Sequence, residues 1–214
     1  MRLLNIHGVT PKGKYNSYKG DQNGTCKNLL LIKSIDKKKH KTIYKRDFST
    51  TACNQDVSEF HIAAGKLYLS PILDMHNREI VAFNISRNPN FNQTTDMLRK
   101  AFDKYKHLEG LIFHSDQGWQ YQMKFYHQEL EKRGIKQSMS RKGNCLDNSP
   151  MENFFGVMKN EMFYGHEYDF KSLEELEKAM VKYIEYYNNE RIMEKTKGLS
   201  PLTYRQQSFV QLGY

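Results

Sequence analysis

The sequence predicts a mixed α/β domain with helices on both faces of a sheet. Three observations carry that prediction. Two apolar, β-branched runs come first, short strand-like and helix-like segments then alternate, and amphipathic helices close the chain. With 214 residues, 38% of them apolar and 13% aromatic, the chain has the means for one substantial domain with an appendage, and wholesale disorder is excluded. No apolar run approaches the length of a membrane span, and "MRLLNIHGVTPK" lacks the apolar stretch of a signal peptide. Cys26, Cys53 and Cys145 are scattered, odd in number and form no CxxC pair. That argues against a structural zinc site or a disulfide framework, and for a reducing cytoplasm.

The elements follow in order. Residues 1–48 carry 12 Lys or Arg against 3 Asp or Glu, whereas residues 49–214 carry 21 of each sign, so the net charge of +9 resides in the first segment. There, "VTPKGKYNSYKGDQNGTCKN" shows no sustained period and reads as an extended basic arm or linker, followed by the short apolar "LLLIKSI" and the run "DKKKHK". A basic arm on a neutral body suits a phosphate backbone as partner, and it equally describes a solvated leader. The boundary of the folded core is placed near Phe48.

Beyond it, "KLYLSPILDM" and "REIVAFNIS" flank the polar "HN" and predict a hairpin. Pro71 lies inside the first run, which requires either a bulge or an outward-facing position there. A helix is expected from Thr95 to His107, burying Met97, Leu98, Ala101, Phe102 and Tyr105. "GLIF" is a short buried strand ending at His114-Ser115-Asp116. A second helix covers Gln122 to Lys132 and stops at Gly134. "IKQSM" is a brief strand and "SRKGNCLDN" a polar loop. The next helix, after Ser149, carries Met151, Phe154, Phe155, Met158 and Met162 at core spacing. The last opens at Ser172 and Glu175 and buries Leu173, Leu176, Met180, Tyr183, Ile184 and Tyr187.

Candidate chemistry centres on carboxylates. Asp116 sits where the apolar strand gives way to "HSDQGWQY", and ligands of open α/β sheets gather beyond the carboxyl ends of strands. With His114 two residues before it, Asp116 suits a metal ion or a proton transfer, or else caps a turn. Asp56, in "NQDVSEF", is either an exposed strand residue or one that points to a cation or a donor, and Glu59 is similar. Asp74 reads as a turn residue. Ser149 and Glu152, with Pro150 between them, form a capping-box pattern with proline at the first helical position, and Glu152 then only tidies a helix start. Taken together, Asp56, Asp116 and Glu152, from two strands and a helix N-terminus, make a cage for Mg²⁺ or Mn²⁺. Two such ions roughly 3.5–4 Å apart clamp the attacking and leaving oxygens of a phosphoryl transfer. Lys159, seven residues after Glu152, falls on the same helix face two turns along, where it is either a phosphate contact or a solvent-facing lysine.

The blocks "DVSEF", "LYLSPILDMHNREIVAFNIS", "FHSDQGWQY" and "SRKGNCLDNSPMENFFGVMKNE" resemble the catalytic core of integrase-type (DDE) transposases of bacterial two-frame insertion sequences, whose second-frame product is related to retroviral integrases. The Asp116–Glu152 gap, with 35 residues between them, matches that family's acidic spacing, and "YNNERIMEKTKGLSPLTYR" resembles its C-terminal ending. The resemblance implies a ribonuclease-H-like mixed five-stranded sheet flanked by helices. It divides the chain into a basic arm (1–48) left from an upstream DNA-binding region, a catalytic core (49–166) and a C-terminal helical extension (167–214) packing on the core. It also implies metal-dependent DNA strand cleavage and strand transfer at element ends, with Asp56, Asp116 and Glu152 holding two Mg²⁺ or Mn²⁺ ions when DNA is bound. Lys159 is then the DNA-contacting lysine, the partners are element ends and target DNA, the acting form is a homo-oligomer on DNA, and no membrane is involved. Two departures stand out. Relatives have a few more residues, including a Trp, before the first Asp, whereas here Asn54-Gln55 leads directly into Asp56 and the one Trp is Trp119. A shortened strand is expected to displace Asp56, and an odd displacement turns it to the other face. The chain also starts where relatives are still inside a helical DNA-binding segment, so the end-recognition module is expected to be missing. Both features support an alternative, a truncated and catalytically impaired transposase remnant that binds DNA nonspecifically. An ordinary ribonuclease-H-like nuclease is a third reading.

Overall fold

A computed structural model describes residues 26–36, 41–46, 52–88, 91–104, 108–141 and 148–211. The greater part of the basic arm, the boundary at Phe48, Tyr105 and Cys145 lie outside the described residues. The element order is β1 (Leu31–Asp36), β2 (Lys41–Arg46), β3 (Ala52–Gln55), β4 (Ser58–Ile62), β5 (Gly65–Asp74), β6 (Ile80–Ser86), α1 (Phe91–Lys104), β7 (Ile112–Ser115), α2 (Lys124–Glu131), β8 (Lys136–Met139), α3 (Ser149–Met158), α4 (Leu173–Asn189) and α5 (Pro201–Gln211).

The strands β3 to β8 form one mixed sheet. The predicted hairpin is β5 against β6, and β3 and β4 both pair with the opposite edge of β5. Asn54 faces Leu73, Gln55 faces Ile72 and Ser58 faces Leu69, which is one unbroken register interrupted only at Asp56-Val57. The six strands therefore occupy the five ranks that were expected, with the first rank split in two. The gap in the ladder lies opposite Ser70 and Pro71, and proline has no N–H to give to a rung. The pairing of β5 with β6 slips between Ile72 and Leu73, so the irregularity required by Pro71 is present one residue after it. Parallel pairing of β3 with β7 and of β7 with β8 completes the sheet.

Alternation along β5 divides the core. Leu67, Leu69 and Leu73 join a cluster with Met151, Phe154, Phe155 and Met158 of α3 and Leu176, Met180, Ile184 and Tyr187 of α4. Ile72, on the other face, packs with Met97, Leu98, Ala101 and Phe102 of α1 and Tyr126 and Leu130 of α2. Helices thus cover both faces. Helix α4 shares the core of the sheet, and Arg205 of the C-terminal helix α5 is tied to the buried Glu79 before β6 at 2.5 Å.

Boundaries moved where local signals were weak. Helix α1 begins at Phe91, one turn before the expected Thr95, because "FNQT" has no apolar period to mark it. The second helix divides into a 3-10 turn (Trp119–Gln122) and α2, which ends ahead of Gly134 with its φ of +67°. The segment read as arm contains the antiparallel pair β1–β2, running from Leu31 opposite Arg46 to Asp36 opposite Lys41. Ile32, Ile35, Thr42 and Ile43 supply the β-branched content for it, which the lysine density concealed. Just before β1, the Leu29 amide donates to Ser138 Oγ of β8 at 2.9 Å and Leu30 is buried in the core.

Candidate active site

The parallel register of β3 and β7 sets Asn54 opposite His114 and Gln55 opposite Ser115. One step further along, Asp56 stands opposite Asp116. Adjacent strands are about 4.8 Å apart, so two carboxylates leave the ends of neighbouring strands side by side. Alternation fixes their face. Cys53 and Gln55 point toward α2, where Tyr126 Oη donates to Gln55 Oε1 at 3.0 Å. Ala52, Asn54 and Asp56 point the other way, toward α3. The split between β3 and β4 leaves the register with β5 unchanged, and the Asp56 carboxylate lies on the α3 face of the sheet.

Each aspartate is fixed by hydrogen bonds. Asp56 Oδ1 accepts from its neighbour Val57 N–H at 2.7 Å, and Oδ2 accepts from Asn148 Nδ2 at 2.8 Å. Asp116 Oδ1 accepts from Gly118 N–H at 2.8 Å. A Cβ on Gly118 would lie 2.9 Å from that same oxygen and 2.8 Å from Gln120 Nε2, so the turn needs glycine for close approach. Both carboxylates are enclosed by protein yet remain partly open to solvent. Burial is the main cause lifting the Asp56 carboxyl; the charge of Asp116 and, more weakly, that of Glu152 add to it, against the hydrogen bonds from Val57 and Asn148, and the outcome is about 8. Burial likewise raises Asp116, opposed by the Gly118 amide. Two like charges this close hold protons or attract a cation.

Helix α3 brings the third carboxylate, in a manner the sequence did not foretell. The N-cap is Asn148, not Ser149; Ser149 and Pro150 occupy the first two helical positions, and no side chain caps the end. The capping-box reading of Ser149 and Glu152 is thus corrected. The physical reason is that Asn148, the residue in the capping position, spends its side chain elsewhere: Nδ2 on Asp56 and Oδ1 on Asn54 Nδ2 at 2.5 Å. Glu152 is half-buried, which raises its pKa, and it acts on Asp56 by charge. Among the described residues, no three His, Cys, Asp or Glu side chains converge closely enough to enclose one ion. The structure joins Asp56 to Asp116 and places Glu152 within electrostatic reach.

Lys159 lies at the end of α3, where the helix widens into a π turn over Lys159–Phe163. Its Nζ rests 4.9 Å from the centroid of the Phe60 ring. Burial lowers its pKa and the charge of Glu59 opposes this. The ammonium is therefore directed to β4 and not into open solvent. His114 is a core residue, its Nδ1 sharing a 2.9 Å hydrogen bond with Ser138 Oγ, which corrects its pairing with Asp116 as a ligand or proton carrier. Asp74 makes the expected turn, accepting from the His76 amide at 2.8 Å. Glu59 is an exposed strand residue, paired with Lys66 at 2.8 Å. Asn54, Gly118 and Asn148 are site residues that the sequence reading passed over. A polar residue two places before Asp56 on an inward face was the available signal for Asn54, and an N-cap-type residue ahead of Ser149-Pro150 was the signal for Asn148.

Known proteins resemble this chain in sequence and in fold. A family model described as the integrase core domain matches residues 51–145, and a second with the same description matches residues 152–209. An uncharacterized transposase-like protein of Haemophilus influenzae is 48% identical over 214 residues, covering 97% of this chain and 90% of that protein. The putative transposase InsK for insertion sequence element IS150 of Escherichia coli K12 is 42% identical over 214 residues, covering 98% of this chain and 70% of that one. Among solved structures, the HTLV-2 integrase catalytic core domain in complex with magnesium aligns with a TM-score of 0.52 at 18% identity, over 70% of this chain and 92% of that one. A chain of the simian T-cell lymphotropic virus intasome aligns with a TM-score of 0.59 at 12% identity, over 80% of this chain and 60% of that one. At such identities the likeness is one of fold, and the fold is the ribonuclease-H-like sheet of retroviral integrase cores. No helix among the described residues is long and apolar enough to cross a membrane. By its matched segments and its relatives, the chain belongs to the integrase-core family of transposases.

Proposed function

We propose that the chain cleaves and joins DNA at the ends of an insertion element, with Asp56, Asp116 and Glu152 as its metal-holding carboxylates and Mg²⁺ or Mn²⁺ as cofactor. The observation that supports this reading is the parallel register of β3 and β7, which pairs Gln55 with Ser115 and so leaves Asp56 and Asp116 as the next residues at neighbouring strand ends. The donor set fits the ion: all ligands are oxygens, and the lifted pKa of each aspartate marks a place where positive charge is wanted. When bound, such ions activate water and stabilise the charge that develops on a phosphodiester under attack. The chain's own groups hold and orient. The Val57 amide and Asn148 set the Asp56 carboxylate, the Gly118 amide sets one oxygen of Asp116, and Glu152 supplies the third carboxylate from α3. In the first step, water adds to phosphorus and the P–O3′ bond breaks, leaving a 3′-hydroxyl and a 5′-phosphate. In the second, that 3′-oxygen attacks a target phosphodiester, and the target's own 3′-oxygen leaves with a proton. No covalent bond to the protein forms.

Lys159 is proposed as the cation that meets the DNA backbone. Its partly desolvated ammonium on Phe60 is close to the helix that carries Glu152. The acting form is proposed to be a homo-oligomer on DNA. The test uses the full chain with duplexes carrying the DNA that flanks its own gene, followed for 3′-end cleavage and joining with Mg²⁺ or Mn²⁺. Activity that requires the ion and falls at least 100-fold in Asp116→Asn and Glu152→Gln supports the reading. Salt-sensitive DNA binding that is indifferent to the ion, with no cleavage, would establish the remnant instead.

A further inference from the structure

Asn148 occupies the position where an Asn side chain ordinarily accepts from an amide of the first helical turn, an arrangement worth about 1 kcal/mol. Here it forgoes that bond. Its amide lies between two polar groups of β3: Nδ2 donates to Asp56 Oδ2 at 2.8 Å and Oδ1 accepts from Asn54 Nδ2 at 2.5 Å. Asn148 is 4% exposed and Asn54 0%, so the bond between them is shielded from water. The orientation of the amide is unambiguous, because a carboxylate takes a donor and Asn54 presents one. Asn54 Oδ1 is left without a hydrogen-bond partner among the described residues, a local cost in a buried amide. Two local rules are thus broken in one place, at the join between a strand carboxylate and a helix. Glu152 lies four residues after Asn148, which is one helical turn, so the two side chains project from the same side of α3.

We infer that Asn148 is a positioning residue: through Asn54 and Asp56 it holds the first turn of α3 in register with the end of β3, so that the strand carboxylate and Glu152 serve one divalent ion. The inference rests on the proposed metal-dependent function and adds to it the part that sets the distance between strand and helix.

The test is titration of the full chain with Mn²⁺, by calorimetry or by the paramagnetic resonance of the free ion, alongside thermal melting without metal. Asn148→Ser removes the amide bridge and restores an N-cap hydroxyl, so a purely structural role predicts a change in melting temperature alone, with Mn²⁺ affinity unchanged in the folded protein. The expected result is a folded protein, whatever its melting temperature, with affinity for Mn²⁺ reduced about 10-fold or more, as found for partners that orient metal ligands. Asn54→Ser, which leaves Asn148 in place without its support, should weaken Mn²⁺ binding in the same direction by a smaller factor. It serves as the second variant should Asn148→Ser fail to fold. Affinity within two-fold of wild type in a folded Asn148→Ser protein overturns the inference and leaves the proposed function standing. A wild-type chain that binds no Mn²⁺ overturns both, and does so before any variant is made.

Discussion

The Asp56–Asp116 pair makes a metal-free protein less stable as pH rises, and Asp56→Asn exposes this directly. The folded pKa of Asp56 is raised from 3.8 to about 8, so the folded chain holds a proton there that the unfolded chain has released. A raised folded pKa contributes stability that is complete below the unfolded value and is lost as pH climbs through the folded one. At about 1.4 kcal/mol per decade the full span has a ceiling of about 5–6 kcal/mol. Of this, about 2 kcal/mol falls between pH 6 and pH 8 and the rest between pH 4 and pH 6, and the partial access of solvent to the carboxylate lowers the whole. Asparagine has the same shape without the titration, but it offers one acceptor where Asp56 offers two to Val57 and Asn148, a loss of about 1 kcal/mol. The two melting curves should therefore cross. In EDTA, Asp56→Asn melts about 2–4 °C lower than wild type near pH 3, where the wild-type carboxyl is neutral in both states, and higher than wild type from pH 6 to pH 8, by a margin that grows with pH. Calorimetry at four pH values is sufficient. A wild-type melting temperature that rises or stays level from pH 6 to pH 8 while the variant runs parallel to it would refute the idea that these two carboxylates repel each other in the folded chain.

Four further expectations follow from the same geometry. Mg²⁺ or Mn²⁺ displaces a proton from the pair, so the rise in melting temperature it produces should be larger at pH 8 than at pH 6 and absent in Asp116→Asn; equal rises at both pH values would show that the ion binds elsewhere. Gly118→Ala places a Cβ 2.9 Å from Asp116 Oδ1, and should weaken Mn²⁺ binding about 10-fold with about 1 kcal/mol of lost stability, checked by titration and melting. Glu161 accepts from Arg191 Nη2 at 2.7 Å and from Tyr183 Oη at 2.6 Å. Burial raises its pKa, but those hydrogen bonds and the charge of Arg191 outweigh this and lower it, so the stability they give is present above the ordinary Glu range and lost as pH falls through the folded value. Arg191→Ala should cost about 1–2 kcal/mol at pH 7 and blunt that acid loss in urea melts. Lys159→Ala should weaken DNA binding uniformly across sequences and reduce the salt slope by about one ion, measured by anisotropy from low to moderate salt.

What could be read from the sequence follows the range over which each signal acts. The β5–β6 hairpin, the core faces of α3 and α4, and the emergence of Asp116 at a strand end are encoded by period and punctuation within a few residues, and each is where it was expected. The capping at Ser172 is local as well, and the Glu175 amide does donate to Ser172 Oγ at 3.2 Å. The same pattern at Ser149 misled because the side chain of Asn148 is claimed by a strand 92 positions away in sequence, and no local rule contains that information. Lys159 was placed by helical periodicity, which holds to Met158 and then yields to a π turn, so its ammonium is found against β4. β1 and β2 were hidden for a different reason: their branched residues are interleaved with lysines, and composition outweighed pairing.

The split between β3 and β4 bears most on whether the chain is a working enzyme or a remnant. A shortened strand raised the expectation of a displaced Asp56. The pairing with β5 keeps a single register on both sides of Asp56-Val57, so the ladder misses rungs there without a shift in pairing. An interruption without a change of register leaves the face of every side chain unaltered. It also releases the Val57 N–H from the sheet, and that amide is the group that donates to Asp56 Oδ1. The gap thus supplies one of the two hydrogen bonds that hold the carboxylate, and the other comes from Asn148 across the domain. Decay of the site would be expected to relax these aspartates apart or to provide them with a permanent cation from the protein. The charges acting on Asp56 instead include two further carboxylates, those of Asp116 and Glu152. Electrostatic tension of that kind is relieved by a divalent ion, which is what the proposed function requires of these carboxylates.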